Sequence, residues 1–183
     1  MFIVYALAVG LLVGALAGGQ LSGIAEIRFR WTGLAVIGLL VQLALFSPPV
    51  AERIGSLGVP LYVGSTVLVL AALLRNVRLT GMWIVALGAF SNMAAIALNG
   101  GYMPAAPGAL ASLGFSAGTG YSNSAVVAHP ALEPLTDIFA LPRFMPLANV
   151  FSVGDVLIAV GIAVVIATAM IRARPSRRVS RSA

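Results

Sequence analysis

Val153-Gly154-Asp155-Val156-Leu157-Ile158-Ala159-Val160-Gly161-Ile162-Ala163-Val164-Val165-Ile166-Ala167-Thr168-Ala169-Met170-Ile171 is the stretch whose reading decides the fold. It completes an apolar run of roughly residues 147–171, and about 20 such residues cross the hydrocarbon of a bilayer. In lipid a helix satisfies its own backbone, so the run reads as a membrane helix. One carboxylate, Asp155, lies near its start, and arginines crowd its end. Four more apolar runs lie upstream, at about 2–18, 31–47, 59–74 and 80–98. The chain is 60% hydrophobic and 9% charged, with a mean hydropathy of +1.04. A soluble domain carries roughly 25% charged residues. The expected fold is all-α: a single membrane domain over residues 1–183, a five-transmembrane-helix bundle with an ordered extracytoplasmic cap at 99–146 and a basic cytoplasmic tail at 172–183.

The arginines orient the bundle, because cytoplasmic loops collect positive charge. Arg28, Arg30, Arg75, Arg78, Arg172, Arg174, Arg177, Arg178 and Arg181 follow the odd-numbered runs, and only Arg53 and Arg143 lie in the other connections. The split places the N-terminus outside and the C-terminus in the cytoplasm. Ala15-Leu16-Ala17 has the small-x-small form of a signal-peptide cleavage site, but no positive n-region precedes it. The short connection from Pro48 to Gly58 makes the second and third runs a hairpin. Gly10, Gly14 and Gly18 recur every fourth residue, as do Ala159, Ala163 and Ala167. Such faces allow close helix contact, within the chain or with other membrane subunits. The tail would meet anionic lipid headgroups, and no folded module supports a nucleic-acid reading.

The chemistry available is narrow. There is no cysteine, which excludes thiol catalysis and thiolate metal sites. The one histidine, His129, cannot build a metal site by itself, and no cofactor is called for. No Lys, Arg or Glu falls mid-span, which weighs against ion-coupled transport. Gln42 and Asn92 read as partners for neighbouring helices.

Residues 99–150 hold six of the ten prolines but only three charged groups, Glu133, Asp137 and Arg143. This segment is too apolar for a flexible linker, so an ordered cap is expected, with short helices near 107–113 and 131–140. Asn99-Gly100-Gly101 serves as a helix C-cap, or contributes with Arg143 to a binding surface. Ser152-Val153-Gly154-Asp155 has the form of a capping box, with Asp155 reaching back to its N-cap. Yet Asp155 lies about seventeen residues before Arg172, roughly 25 Å along a helix, just inside the outer surface of the membrane. An ionisable group there is a functional candidate. Asp137 is the other acid able to reach it, and two carboxylates sharing one proton can activate water.

Around these residues the sequence resembles the lipoprotein signal peptidases, bacterial membrane aspartyl peptidases that cut the signal peptide of lipid-modified preproteins. Gly88-Ala89-Phe90-Ser91-Asn92 is similar to that family's Gly-Ala-x-Gly-Asn, and Phe151-Ser152-Val153-Gly154-Asp155 to its Phe-Asn-x-Ala-Asp. Asp137 would take the place of its first catalytic aspartate. The family's Asp-Arg after the helix-three Asn is Ala95-Ile96 here, and its early Asn-x-Gly-Ala-Phe motif is absent. The resemblance covers about a third of the chain. It implies a hydrolase with Asp137 and Asp155 as the dyad and Asn92 as a positioning residue. The whole chain, with Asn-Gly-Gly-x-Met-Pro and its Thr-Asp and Gly-Asp pairs, also resembles an uncharacterised family of small bacterial membrane proteins. The alternative function is a non-enzymatic subunit or scaffold of a larger membrane complex.

Overall fold

A computed structural model describes residues 2–114 and 124–173. The chain is mostly helical. The helices are α1 (Phe2–Leu16), α2 (Ser22–Ala25), α3 (Thr32–Leu45), α4 (Pro48–Ala51), α5 (Gly58–Arg75), α6 (Met82–Leu98), α7 (Pro107–Leu113) and α8 (Val153–Arg172). Two helices are long and apolar enough to cross a membrane: Gly55–Arg75, which is α5 with the 3-10 turn before it, and α8. The apolar helices α1, α3 and α6 are shorter, at 15, 14 and 17 residues.

Five helices form a row. α8 packs between α1 and α6, and α5 packs between α6 and α3. α3 and α5 lie side by side, as their short connection requires. Small residues set the spacing elsewhere in the row. A Cβ on Gly10 would stand 2.9 Å from the Ala163 carbonyl oxygen, and one on Gly14 would stand 2.6 Å from Met170 Sδ. The close neighbour of that glycine face is therefore α8 of the same chain. Gly18 has a different task. It takes a φ of 74°, and the bonds Gly19 N–H to Gly14 O and Gly18 N–H to Ala15 O, both 2.8 Å, form a Schellman cap on α1.

α6 and α8 meet through a matched pair of glycines from each helix. A Cβ on Gly88 would lie 2.4 Å from the Gly154 carbonyl oxygen, and one on Gly161 would lie 2.9 Å from that of Gly81. Side chains larger than hydrogen at these points would separate the helices and open the site described below. The outward faces of the row stay apolar: Leu12 is 59% exposed, Leu43 70%, Phe90 60% and Val160 47%.

Three expectations change. The last helix starts at Val153, not near 147, because Val150–Phe151 forms a strand that pairs antiparallel with Phe139–Ala140. The region 131–140 is not an α-helix. Leu132 takes a left-handed φ of 52°, Glu133–Leu135 makes one 3-10 turn, and Phe139–Ala140 is extended. The fold is thus not purely helical, since Met103–Pro104 also pairs, in parallel, with Ser124–Ala125. The expected helix near 107–113 is present as α7. The arginines at 174–181 lie outside the described residues.

Candidate functional site

The site begins where α6 ends. Gly100 and Gly101 take φ values of 70° and 89°, and the Gly101 N–H donates to Ile96 O at 2.9 Å. The left-handed backbone ends the helix and reverses the chain at a point where glycine costs no strain. A side chain on Gly101 would also collide with α5, since its Cβ would stand 2.2 Å from Val59 Cγ1. The reversal drops Met103 into a core with Leu45, Tyr62, Ala95 and Ile96. Next to it, the buried Pro104 presents its carbonyl to the Asp137 N–H at 2.9 Å, and the Asp137 carbonyl accepts from Ala106 N–H at 3.0 Å. Asn-Gly-Gly-x-Met-Pro is therefore both a helix terminator and the strap that holds Asp137 over the helix ends. Asn99 fixes the strap from the other side. Its side chain accepts from Ala131 N–H at 2.8 Å and donates to Ala131 O at 2.8 Å and Ala95 O at 2.7 Å.

Asp155 is held by the start of α8. The Ser152 hydroxyl accepts from the Asp155 N–H at 3.0 Å, and Asp155 Oδ2 accepts from the Ser152 N–H at 3.0 Å, which completes the capping box. Across the helix interface, Asn92 Nδ2 on α6 donates to Asp155 Oδ1 at 2.9 Å, and the Ser152 hydroxyl lies 2.8 Å from Asn92 Oδ1. Only a residue without a Cβ permits this approach, because a Cβ on Gly154 would stand 1.9 Å from Asn92 Oδ1.

The two aspartates meet at one cavity of about 210 Å³. Its walls come from α3, α5, α6 and α8, and its polar lining is Gln42, Tyr62, Thr66, Asn92, Asp137 and Asp155. Gln42 Nε2 donates to Thr66 Oγ1 at 3.2 Å, so the α3–α5 wall is itself tied together. Asp137 is only 7% exposed. Burial pushes its carboxyl up from 3.8 to about 7, and the like charge of Asp155 adds to the rise. The protein thus keeps a costly buried acid beside a second carboxyl, in a space large enough for water and part of a ligand.

Of the residues singled out in the sequence, Asn92, Asp137 and Asp155 come together here. Asn99, Gly100 and Gly101 position the strap without lining the cavity. Arg143 is elsewhere: its Nε donates to the Ser112 carbonyl at 2.8 Å, at the C-terminal end of α7. Ser152 and Gly154, read in the sequence as parts of the capping box and of the motif around Asp155, also belong to the site, whereas Tyr62 and Thr66 line the cavity and carried no site signal. The seven-residue spacing shared by Gly81–Gly88 and Gly154–Gly161 was the readable hint that α6 and α8 adjoin there.

The sequence profile of one protein family matches residues 26–167, from the turn before α3 to within α8. The chain belongs to DUF5317, a family of unknown function. No curated protein and no solved structure matches it, and no likeness to the lipoprotein signal peptidases comes with the family. The span shared with DUF5317 takes in Asn92, Asp137, Asp155 and the helices that wall the cavity, and it leaves out α1.

Proposed function

We propose that this protein is a membrane aspartyl hydrolase that cuts a peptide bond at the outer membrane–water boundary. The observation that carries this reading is the shared cavity, in which a buried, proton-retaining Asp137 faces an Asp155 fixed by Asn92 and Ser152. In such a pair one carboxyl keeps its proton while the other accepts one. Asp155 takes the proton of a water as its oxygen attacks the peptide carbonyl. Asp137 donates its proton to the carbonyl oxygen. Collapse of the tetrahedral intermediate breaks the C–N bond: the proton now on Asp155 passes to the leaving nitrogen, and a hydroxyl proton of the intermediate returns to Asp137 as the carbonyl re-forms. Activity should fall as pH rises through about 7, where Asp137 loses the proton it must give.

The reading places five spans in the bilayer, with the cavity near the outer face and the N-terminus outside. The nine-to-two arginine split supports that orientation. So does the Tyr5 hydroxyl near the start of α1, which donates to the Pro146 carbonyl of the cap. At 1.5 Å per residue, the 14 residues of α3 reach roughly 21 Å, short of a core about 30 Å thick. Local thinning of the bilayer accommodates such a helix. Trp31 at its cytoplasmic end, with the Arg75 guanidinium 5.9 Å from its ring centroid, suits the interfacial belt.

A complete capping box is also what a purely structural Asp155 would have, as in a scaffold subunit. Asp137 favours the hydrolase, because a scaffold has no use for a buried carboxyl that weakens the fold. The deciding experiment reconstitutes the full chain in vesicles with a library of membrane-inserted peptides and identifies the fragments released. Release by the wild type, abolished in both Asp137→Asn and Asp155→Asn, is expected. Identical fragment patterns from all three proteins would contradict the reading.

A further inference from the structure

A second cavity, of about 310 Å³, lies at the opposite end of the helices from the aspartates, between α2, the turn before α6 and the last turns of α8. Two guanidinium groups border it, Arg28 and Arg172, together with one carboxylate, Glu26, and the hydroxyl side chains Thr80 and Thr168. We propose that this cavity binds the phosphate of an anionic membrane lipid at the cytoplasmic face. The inference uses the membrane orientation given above and is independent of the aspartate chemistry.

Three features carry it. The walls hold two positive charges against one negative, so the site favours an anion. Arginine's planar fork suits phosphate oxygens, and its five N–H donors are more than its present partners use. Arg172 is already oriented, because its Nη2 donates at 2.7 Å to the hydroxyl of Thr80, a second residue of the cavity lining. Second, the floor is built rather than incidental. Gly23 is buried against α8, and a Cβ there would stand 2.1 Å from the Ala169 carbonyl oxygen. Third, Ile27, Leu79 and Val165 add an apolar side to the same cavity. That lining fits the glycerol and upper acyl chain of a lipid and offers nothing to a free inorganic phosphate. Basic pockets between helices on this side of a membrane are the usual seats of anionic headgroups.

The test uses the full chain in detergent, scored by native mass spectrometry against equal mixtures of phosphatidylglycerol and phosphatidylcholine. Wild-type protein should retain phosphatidylglycerol preferentially. Arg28→Gln and Arg172→Gln should each weaken that retention roughly fivefold, and the double variant should lose the preference. Arg75→Gln, a control whose guanidinium lies over the Trp31 ring and not in the cavity lining, should keep it. No preference in the wild type would overturn the proposal without recourse to any variant. Equal loss in the Arg75→Gln control would also overturn it, by reducing the effect to diffuse charge. Competition by millimolar inorganic phosphate that removes the lipid completely would assign the cavity to free phosphate instead.

Discussion

Asn92 and Asp155 join α6 to α8 through a 2.9 Å hydrogen bond from the side-chain amide to Oδ1, inside a cavity that also receives Asp137. The bond serves both the fold and the site. It secures the helix interface, and it fixes one carboxyl while its neighbour stays free to change protonation.

Asn92→Ala removes the donor to the half-buried Asp155 Oδ1 and the oxygen that accepts from the Ser152 hydroxyl. The expected cost is about 1–3 kcal/mol. Thermal unfolding of the detergent-solubilised full chain measures it, and an unchanged Tm would show that the bond does not hold the interface.

Gly154→Ala places a methyl group 1.9 Å from the present position of Asn92 Oδ1. Asn92 must swing away or the helices must part, at about 1–3 kcal/mol. Gly64→Ala is the control, because a Cβ there meets nothing within 4 Å. Equal Tm values for the two variants would refute the close-approach account of α6 and α8.

Gly14→Leu should destabilise the α1–α8 pair by a comparable amount, since even a Cβ would overlap Met170. The effect should appear in the isolated chain, without any partner subunit. Loss of a partner with no change in the Tm of the isolated protein would instead assign the face to another chain.

Stability should depend on pH through Asp137. Its carboxyl holds the proton more tightly folded, at about 7, than unfolded, near 3.8. Below both values the two states are equally protonated. As pH rises through this window the unfolded chain releases its proton first, so unfolding becomes easier. Asp137→Asn has no proton to release. It should match the wild type near pH 4 and exceed it at pH 8, by on the order of a few kcal/mol. Parallel curves for the two proteins would exclude a buried, proton-retaining Asp137.

How much of this was legible in the sequence differs from element to element. The Ser152–Asp155 capping box gave the start of α8 more accurately than hydropathy did. An apolar run cannot tell the strand at Val150–Phe151 from the helix that follows. The turn at 131–140 depends on the left-handed Leu132 and on pairing with Val150–Phe151, both tertiary matters. The aspartates were findable because a carboxylate inside an apolar run is costly wherever it falls. Their surroundings were not, because Gln42, Tyr62 and Thr66 join the site only through the order in which helices pack. Periodicity is silent on that order. Arg143 shows the converse case, the one arginine of residues 99–150, whose side chain is consumed in capping α7.

The most direct measurement follows from a feature of the composition: Asp137 and Asp155 are the only aspartates in the chain. Protein labelled with 13C at the aspartate side-chain carboxyl should therefore give two resonances, whose titration can be followed by NMR without ambiguity. One should titrate with a midpoint near 7 and disappear in Asp137→Asn. In Asp155→Asn the same midpoint should fall, because the like charge beside it is gone, and should stay above the ordinary carboxylate value because burial remains. Two resonances that both titrate near 4, or a raised midpoint untouched by Asp155→Asn, would contradict the claim that the two carboxyls form a pair.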